Sequence, residues 1–228
     1  VLVCNDEICR QSTYHAAKNG HLECLRYVHD TSGGEWHPET TRIAAREGHL
    51  ECLKYSHENG CEWHPDTTFV AAREGHLECL KYAHDSPGAS CKWHPDTTSI
   101  AANNGHLECL RYAHENGCEW NTETTYRAAL HGRLECLRYA HENGCEWDPE
   151  TTCAATWNRH LECLKYIHDS PGVSCKWHPK TTYFAAYNGD LECLMYIYEY
   201  CGDVVTWEDT KLEDETGVVS GEYSKEIQ

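Results

Sequence analysis

The chain has 228 residues, 37 of them acidic against 19 basic, for a formal net charge of −18. That balance argues against a nucleic-acid backbone or an anionic membrane surface as principal partner, and favours a partner whose surface is neutral or basic. No run approaches the ~20 apolar residues of a membrane span, so direct membrane insertion is not expected.

Residues 1–11 read as the closing loop of an earlier unit, with Ile8 near a position that later units give to tryptophan. With Val1 in place of Met, this suggests that sequence precedes the chain. From there a Leu-Glu-Cys-Leu core recurs, its first leucine at Leu22, Leu50, Leu77, Leu107, Leu134, Leu161 and Leu191. The intervals are 28, 27, 30, 27, 27 and 30 residues. A period this regular marks a stacked-repeat protein, in which each unit contacts only its neighbours.

The unit from Pro65 to His94 predicts two helices. Asp66-Thr67-Thr68 after a proline is a helix-start signal with side-chain oxygens available for capping. Val70, Ala71 and Ala72 are small enough to let a neighbouring helix approach, and Gly75 supplies the left-handed stop. A second helix opens near His76 or Leu77, with Leu77, Leu80, Tyr82 and Ala83 on its apolar side and Glu78 and Lys81 paired on its wet side. It closes at His84, where a histidine favours the macrodipole and can reach free carbonyls. A tryptophan follows each second helix, at Trp36, Trp63, Trp93, Trp120, Trp147, Trp177 and Trp207. Each ring is expected in the core, covering the joint between units, its N–H seeking a partner. The longer units insert three residues after the second helix, in 85–91 and 169–175, which predicts protruding loops along one edge.

Thr67-Thr68-Phe69-Val70-Ala71-Ala72-Arg73-Glu74-Gly75-His76-Leu77-Glu78-Cys79-Leu80-Lys81-Tyr82 resembles the first helix, Gly-His turn and second helix of an ankyrin repeat. Glu58-Asn59-Gly60-Cys61-Glu62-Trp63 resembles that family's Glu-Asn-Gly-Ala-Asp-Val segment. Seven copies in phase cover about residues 10 to 207. Two departures stand out: units of mostly 27 residues where the family uses 33, and Thr-Thr in place of the Thr-Pro-Leu-His start. The resemblance implies an all-α helix-turn-helix solenoid of about seven repeats with shortened connecting loops. It further implies a binding scaffold without chemistry of its own. The expected organisation is a solenoid over 1–207 and an acidic cap or tail over 208–228.

Sixteen cysteines would suggest disulfides in a small secreted protein. Here they follow the repeat, at Cys24, Cys52, Cys79, Cys109, Cys136, Cys163 and Cys193, and at Cys61, Cys91, Cys118, Cys145, Cys175 and Cys201. Equivalent residues of stacked helices lie about 8–10 Å apart, beyond the roughly 7 Å Cα limit of a bridge. Reduced, buried thiols are therefore expected, in an intracellular reducing compartment: the cytoplasm, or an organelle after removal of a transit peptide. Cys52, His57, Cys61 and His64 are also a mixed set of zinc-type ligands, repeated at Cys79, His84, Cys91 and His94 and at Cys163, His168, Cys175 and His178. Against zinc, Cys52 and His57 lie about 140° apart around a helix, and the set is broken elsewhere by Gly34, Asn121 and Asp148. A zinc-binding or redox-buffering repeat protein stays the alternative function. Cys/His pairs present once per repeat signal architecture rather than an active site, and no phosphate loop or unique nucleophile appears. No enzymatic activity, cofactor or small-molecule substrate is expected.

Binding is written where the copies differ. Two first-helix positions four residues apart share one face: Tyr14/Lys18, Arg42/Arg46, Phe69/Arg73, Ser99/Asn103, Tyr126/Leu130, Cys153/Trp157 and Tyr183/Tyr187. The early members are basic, Lys18, Arg42, Arg46 and Arg73; the late ones are aromatic and apolar. Arg42, Arg46, Phe69, Arg73, Tyr126, Leu130, Trp157, Tyr183 and Tyr187 are the expected partner-binding residues. By resemblance to ankyrins, part of this face lines the concave surface. The expected function is a protein-interaction scaffold, such as an accessory subunit of a larger assembly.

Overall fold

A proline-bearing turn, a short helix, a glycine, and a slightly longer helix make up each repeat. The computed structural model describes residues 12–31, 33, 35–86, 91–170 and 180–201. Among them are fourteen helices and no strand. They fall into two compact units dividing between Asn121 and Thr122. The first holds α1 (Thr13–Lys18), α2 (Leu22–Thr31), α3 (Thr40–Arg46), α4 (Leu50–Glu58), α5 (Thr67–Glu74), α6 (Leu77–Asp85), α7 (Thr97–Asn104) and α8 (Leu107–Glu115). The second holds α9 (Thr124–Leu130), α10 (Leu134–Glu142), α11 (Thr151–Trp157), α12 (Leu161–Asp169), α13 (Lys180–Tyr187) and α14 (Leu191–Cys201). The expected loop tips over 87–90 and 171–179 lie outside the described residues, as do residues 1–11, Trp207 and the acidic segment 208–228.

Within the first unit, α5 packs between α3 and α7 and against its own partner α6. Ala44 and Ala45, Ala71 and Ala72, and Ala101 and Ala102 are fully buried where these helices meet. Alanine lets backbones approach and costs no side-chain entropy, which is why such short helices stack closely. Leu53, Leu80 and Leu110 of the second helices are likewise fully buried, and Cys52, Cys79 and Cys109 beside them nearly so. In the second unit α11 packs between α9 and α13 in the same way.

The glycine between the helices does more than stop the first one. Gly75 has φ 79°, as the sequence predicts. A methyl group built on it would also lie 2.5 Å from Nδ1 of His106, one repeat later. Gly48 meets His76 at 2.6 Å in the same manner, and in the second unit Gly132 meets His160 at 2.5 Å. The Gly-His dipeptide is thus a joint: each imidazole lies over the glycine of the preceding copy.

The threonines act differently from the expected caps. Asp66 sits at φ −87°, ψ 5° and makes no side-chain cap bond; capping geometry needs an extended residue at that position. The first-turn amide of Asp66 instead donates to His64 Nδ1 at 3.1 Å, and Thr67 Oγ1 donates to the His64 carbonyl at 2.8 Å. Thr68, fully buried, reaches the next repeat: it accepts from the His94 amide at 3.2 Å and donates to the Lys92 carbonyl at 3.3 Å. Thr41 does the same to His64 and Glu62, and Thr125 to Asp148 and Glu146. Every such hydroxyl satisfies a donor and an acceptor of a loop that has no sheet to pair with.

Histidine and tryptophan also exchange their expected roles. The carbonyls at the end of the second helix are taken by asparagine, as in Asn59 Nδ2 to the Tyr55 carbonyl at 2.8 Å, or by Ser86 and Ser170 in the longer units. His57 instead stacks on Trp63, ring centres 4.4 Å apart, and meets the edge of Tyr82 from the next repeat. His84, Trp93 and Tyr112 repeat the triad, as do His29, Trp36 and Tyr55. The described tryptophans of this column, Trp36, Trp63, Trp93, Trp120 and Trp147, are therefore half-buried, covering the joint from outside rather than filling the core. As expected, Trp36 Nε1 finds an acceptor in the Asn59 carbonyl at 3.0 Å and Trp93 Nε1 in that of Asn116 at 3.1 Å, whereas Trp147 Nε1 is buried without a hydrogen-bond partner among the described residues.

Candidate functional site

Around the first helices the alanines and second threonine face the stack, which leaves the positions of Tyr126 and Leu130 and their equivalents turned outward, except at Ser99 and Cys153, which are buried. In the first unit the arginines of this face are already engaged. Arg42 bonds Glu39 at 2.6 Å and lies 3.9 Å from Asp66; Arg46 pairs with Glu47 and Arg73 with Glu74, each at 2.6 Å. Phe69 packs on the His94 ring, centres 4.9 Å apart. Each arginine is neutralised by a carboxylate within its own turn or on the next repeat, while Lys18 is exposed and has no ion pair among the described residues. Such exposed pairs contribute little to stability.

The second unit is different. Trp157 is 47% exposed and Tyr187 65%. Trp157 meets the face of Phe184 edge-on with centres 4.5 Å apart, and Tyr183 stacks on Tyr187 at 5.9 Å with a 20° tilt. Tyr126 and Leu130 are half-buried beside them on α9. Side chains at the helix ends hold the backbone of this cluster: Asn158 Nδ2 donates to the Leu130 carbonyl at 2.6 Å and Asn188 Nδ2 to that of Trp157 at 2.7 Å. Cys153, on the same expected face, is instead buried, its thiol aimed at the Glu150 carbonyl. Phe184 belongs to the cluster although sequence reasoning passed over it. It occupies the position of Ile43 and Val70, which are core residues, and only the adjoining aromatic run Tyr183-Phe184 hinted otherwise.

Next to this cluster the backbone breaks the pattern. Arg159 stands where other copies have glycine and has φ 63°, alone among described non-glycine residues. An L-residue there costs about 1–2 kcal/mol. The following copy has Asp190 where His76, His106 and His160 stand in others. The substitution removes the imidazole that would collide with a Cβ, so the two departures fit each other. The Arg159 guanidinium donates to the Asn188 carbonyl, tying the strained turn to the edge of the aromatic cluster.

The cysteines do not take part. The twelve described ones are buried and unbridged. Burial pushes the thiols of Cys52 and Cys109 up to about 11 and those of Cys79, Cys136 and Cys163 to about 12, so almost none is thiolate at neutral pH. Among the described residues, no group of three or more His, Cys, Asp or Glu is placed to hold a metal ion; Cys175 and His178 lie outside them. No described helix is long and apolar enough to cross a membrane.

The fold is that of an ankyrin repeat domain. The structure resembles the crystal structure of the human ASB11 ankyrin repeat domain with a TM-score of 0.65 at 19% sequence identity, over 82% of this chain and 97% of that one. No protein-family model matches the sequence, and no curated protein matches it either.

Proposed function

We propose that this ankyrin-type chain is a non-enzymatic scaffold that binds a protein partner through the outward face of its first helices, as an accessory subunit of a larger assembly. The observation that supports the reading is the joint exposure of Trp157 and Tyr187 at positions where the first unit has paired arginines. Large aromatics left in water beside one another are the composition of an interface anchor. The expected surface comprises Arg42, Arg46, Phe69 and Arg73 in the first unit and Tyr126, Leu130, Trp157, Tyr183 and Tyr187 in the second. The net charge of −18 favours a neutral or basic partner and disfavours nucleic acid. Buried, unbridged cysteines suit a reducing intracellular compartment. The test is partner capture by the intact chain beside the Trp157→Ala and Tyr187→Ala variants. Loss of the captured protein with an unchanged melting temperature is expected; capture undiminished in both variants would overturn the reading.

A further inference from the structure

Three repeats described here carry an aromatic residue at the Tyr126 position with a described residue opposite it. In two of them the chain covers its own ring: His37 packs on Tyr14 with centres 5.2 Å apart, and His94 on Phe69 at 4.9 Å. Both histidines are placed by the threonine clamp, through Thr13 and Thr68. The clamp is intact in the third repeat, where the Asp148 amide donates to Thr125 Oγ1 at 3.0 Å, one residue before Tyr126. What it delivers is a carboxylate in place of an imidazole. Tyr126 has no ring partner among the described residues, and is half-buried rather than covered.

A second departure lies beside it. Glu39, Asp66, Asp96, Glu123 and Glu150 occupy one column at the start of successive first helices. The first four each hold a donor: Glu39 and Asp66 face Arg42, Asp96 accepts from Asn121 at 2.8 Å, and Glu123 bridges to Arg127 at 2.6 Å. Glu150 is exposed and has no cation or side-chain donor among the described residues. Asp148 uses one carboxylate oxygen on the Glu150 amide at 2.8 Å and is not ion-paired. Of the nearby cations, Arg127 is held by Glu123 at 2.6 Å. Burial first, and then the neighbouring Cys153, Glu150, Asp148 and Glu123, push the Tyr126 phenol up.

We propose that this corner accepts a cationic side chain of the partner, over the face of Tyr126 and between the Asp148 and Glu150 carboxylates, where other repeats use their own histidine. Aromatic faces attract guanidinium and ammonium groups, and flanking carboxylates add charge complementarity and register. Leu130 lies one turn from Tyr126, about 6 Å along the helix, and Trp157 lies one helix away, about 8–10 Å. The cation and the apolar anchor are thus roughly 10 Å apart, three residues of extended chain at about 3.3 Å each. The partner segment is extended and carries arginine or lysine about three residues from a large apolar side chain.

This rests on the first-helix face being the binding surface, and the test separates the two. The probe is a phage-displayed library of random twelve-residue peptides, selected on the full chain. Enriched peptides carrying Arg or Lys two to four residues from an aromatic or aliphatic residue are expected. Their affinity should fall about tenfold in the Asp148→Asn/Glu150→Gln double variant and survive in Tyr126→Phe. Asn121 occupies the Asp148 column in an intact repeat, so that variant should fold. Peptides that need Trp157 and Tyr187 but lack a cation, or ignore the double variant, would overturn the cation corner and leave the face standing. Peptides that bind Trp157→Ala and Tyr187→Ala as tightly as the intact chain, or no enrichment at all, would overturn both.

Discussion

Replacing Gly75 by alanine tests the joint between repeats, and Gly60 provides the comparison that makes it quantitative. Both glycines have positive φ, 79° and 88°. A Cβ on Gly60 meets nothing within 4 Å, whereas on Gly75 it would lie 2.5 Å from His106 Nδ1. Alanine in the left-handed region costs about 1–2 kcal/mol at either site. The gain from a less flexible unfolded chain, about 0.4–1 kcal/mol, is common to both and cancels in the comparison. Forcing the imidazole from its seat adds an overpacking cost of about 1–3 kcal/mol at Gly75 alone. Gly75→Ala should therefore exceed Gly60→Ala by that margin in urea unfolding followed by circular dichroism. Adding His106→Ala should recover much of the excess, giving a coupling energy of about 1 kcal/mol or more in a double-mutant cycle. Equal losses for the two glycines, or additivity with His106→Ala, would refute the claim that the ring and the glycine share space.

Three further outcomes follow from the same geometry. Thr68→Val leaves the part-buried His94 amide without its acceptor and should cost about 1 kcal/mol, with faster amide exchange at His94, while Thr68→Ser should lose much less. Burial holds His57, His131 and His160 below the ordinary imidazole value of 6.5, so the unfolded chain binds their protons more readily than the folded one. Their contribution is present above pH 6.5 and is lost as pH falls through the lowered folded values, so the melting temperature should decline from about pH 6.5 downward. In pulsed alkylation at pH 8 read by mass spectrometry, the twelve buried cysteines should label only in denaturant; rapid native labelling of Cys79 or Cys136 would contradict their raised thiols.

What was legible in the sequence is what depends on near neighbours. The Leu-Glu-Cys-Leu period, the Gly75 stop and the Leu77 start are local signals, and helices appear where they stand. Thr68 reads as a cap residue because its real partners are His94 and Lys92, more than twenty positions away. His57 reads as a helix-end cation for the same reason: Tyr82, which completes its aromatic triad, belongs to the next copy. The aromatic face was found by asking where copies disagree, yet that method marks a position and not its surroundings. It puts Cys153, which is buried, on the same face, passes over Phe184, and reads Arg42 as part of a basic stretch although Glu39 pairs with it at 2.6 Å.

The seat of each imidazole on the preceding glycine has a consequence for how such a chain can be rearranged. Gly20, Gly48, Gly75 and Gly132 each meet the joint histidine of the next copy, whereas the sequence follows Gly105 with Arg133 at that place, and Arg159 with Asp190. Modules are not interchangeable across these pairings: a copy with histidine at the joint, placed after Arg159, would meet a side chain where it needs a hollow. Duplication or deletion of whole copies is therefore tolerated only where the two sides of the new junction still match. The repeat order thus carries a matching rule at each junction, independent of whatever the outward face binds.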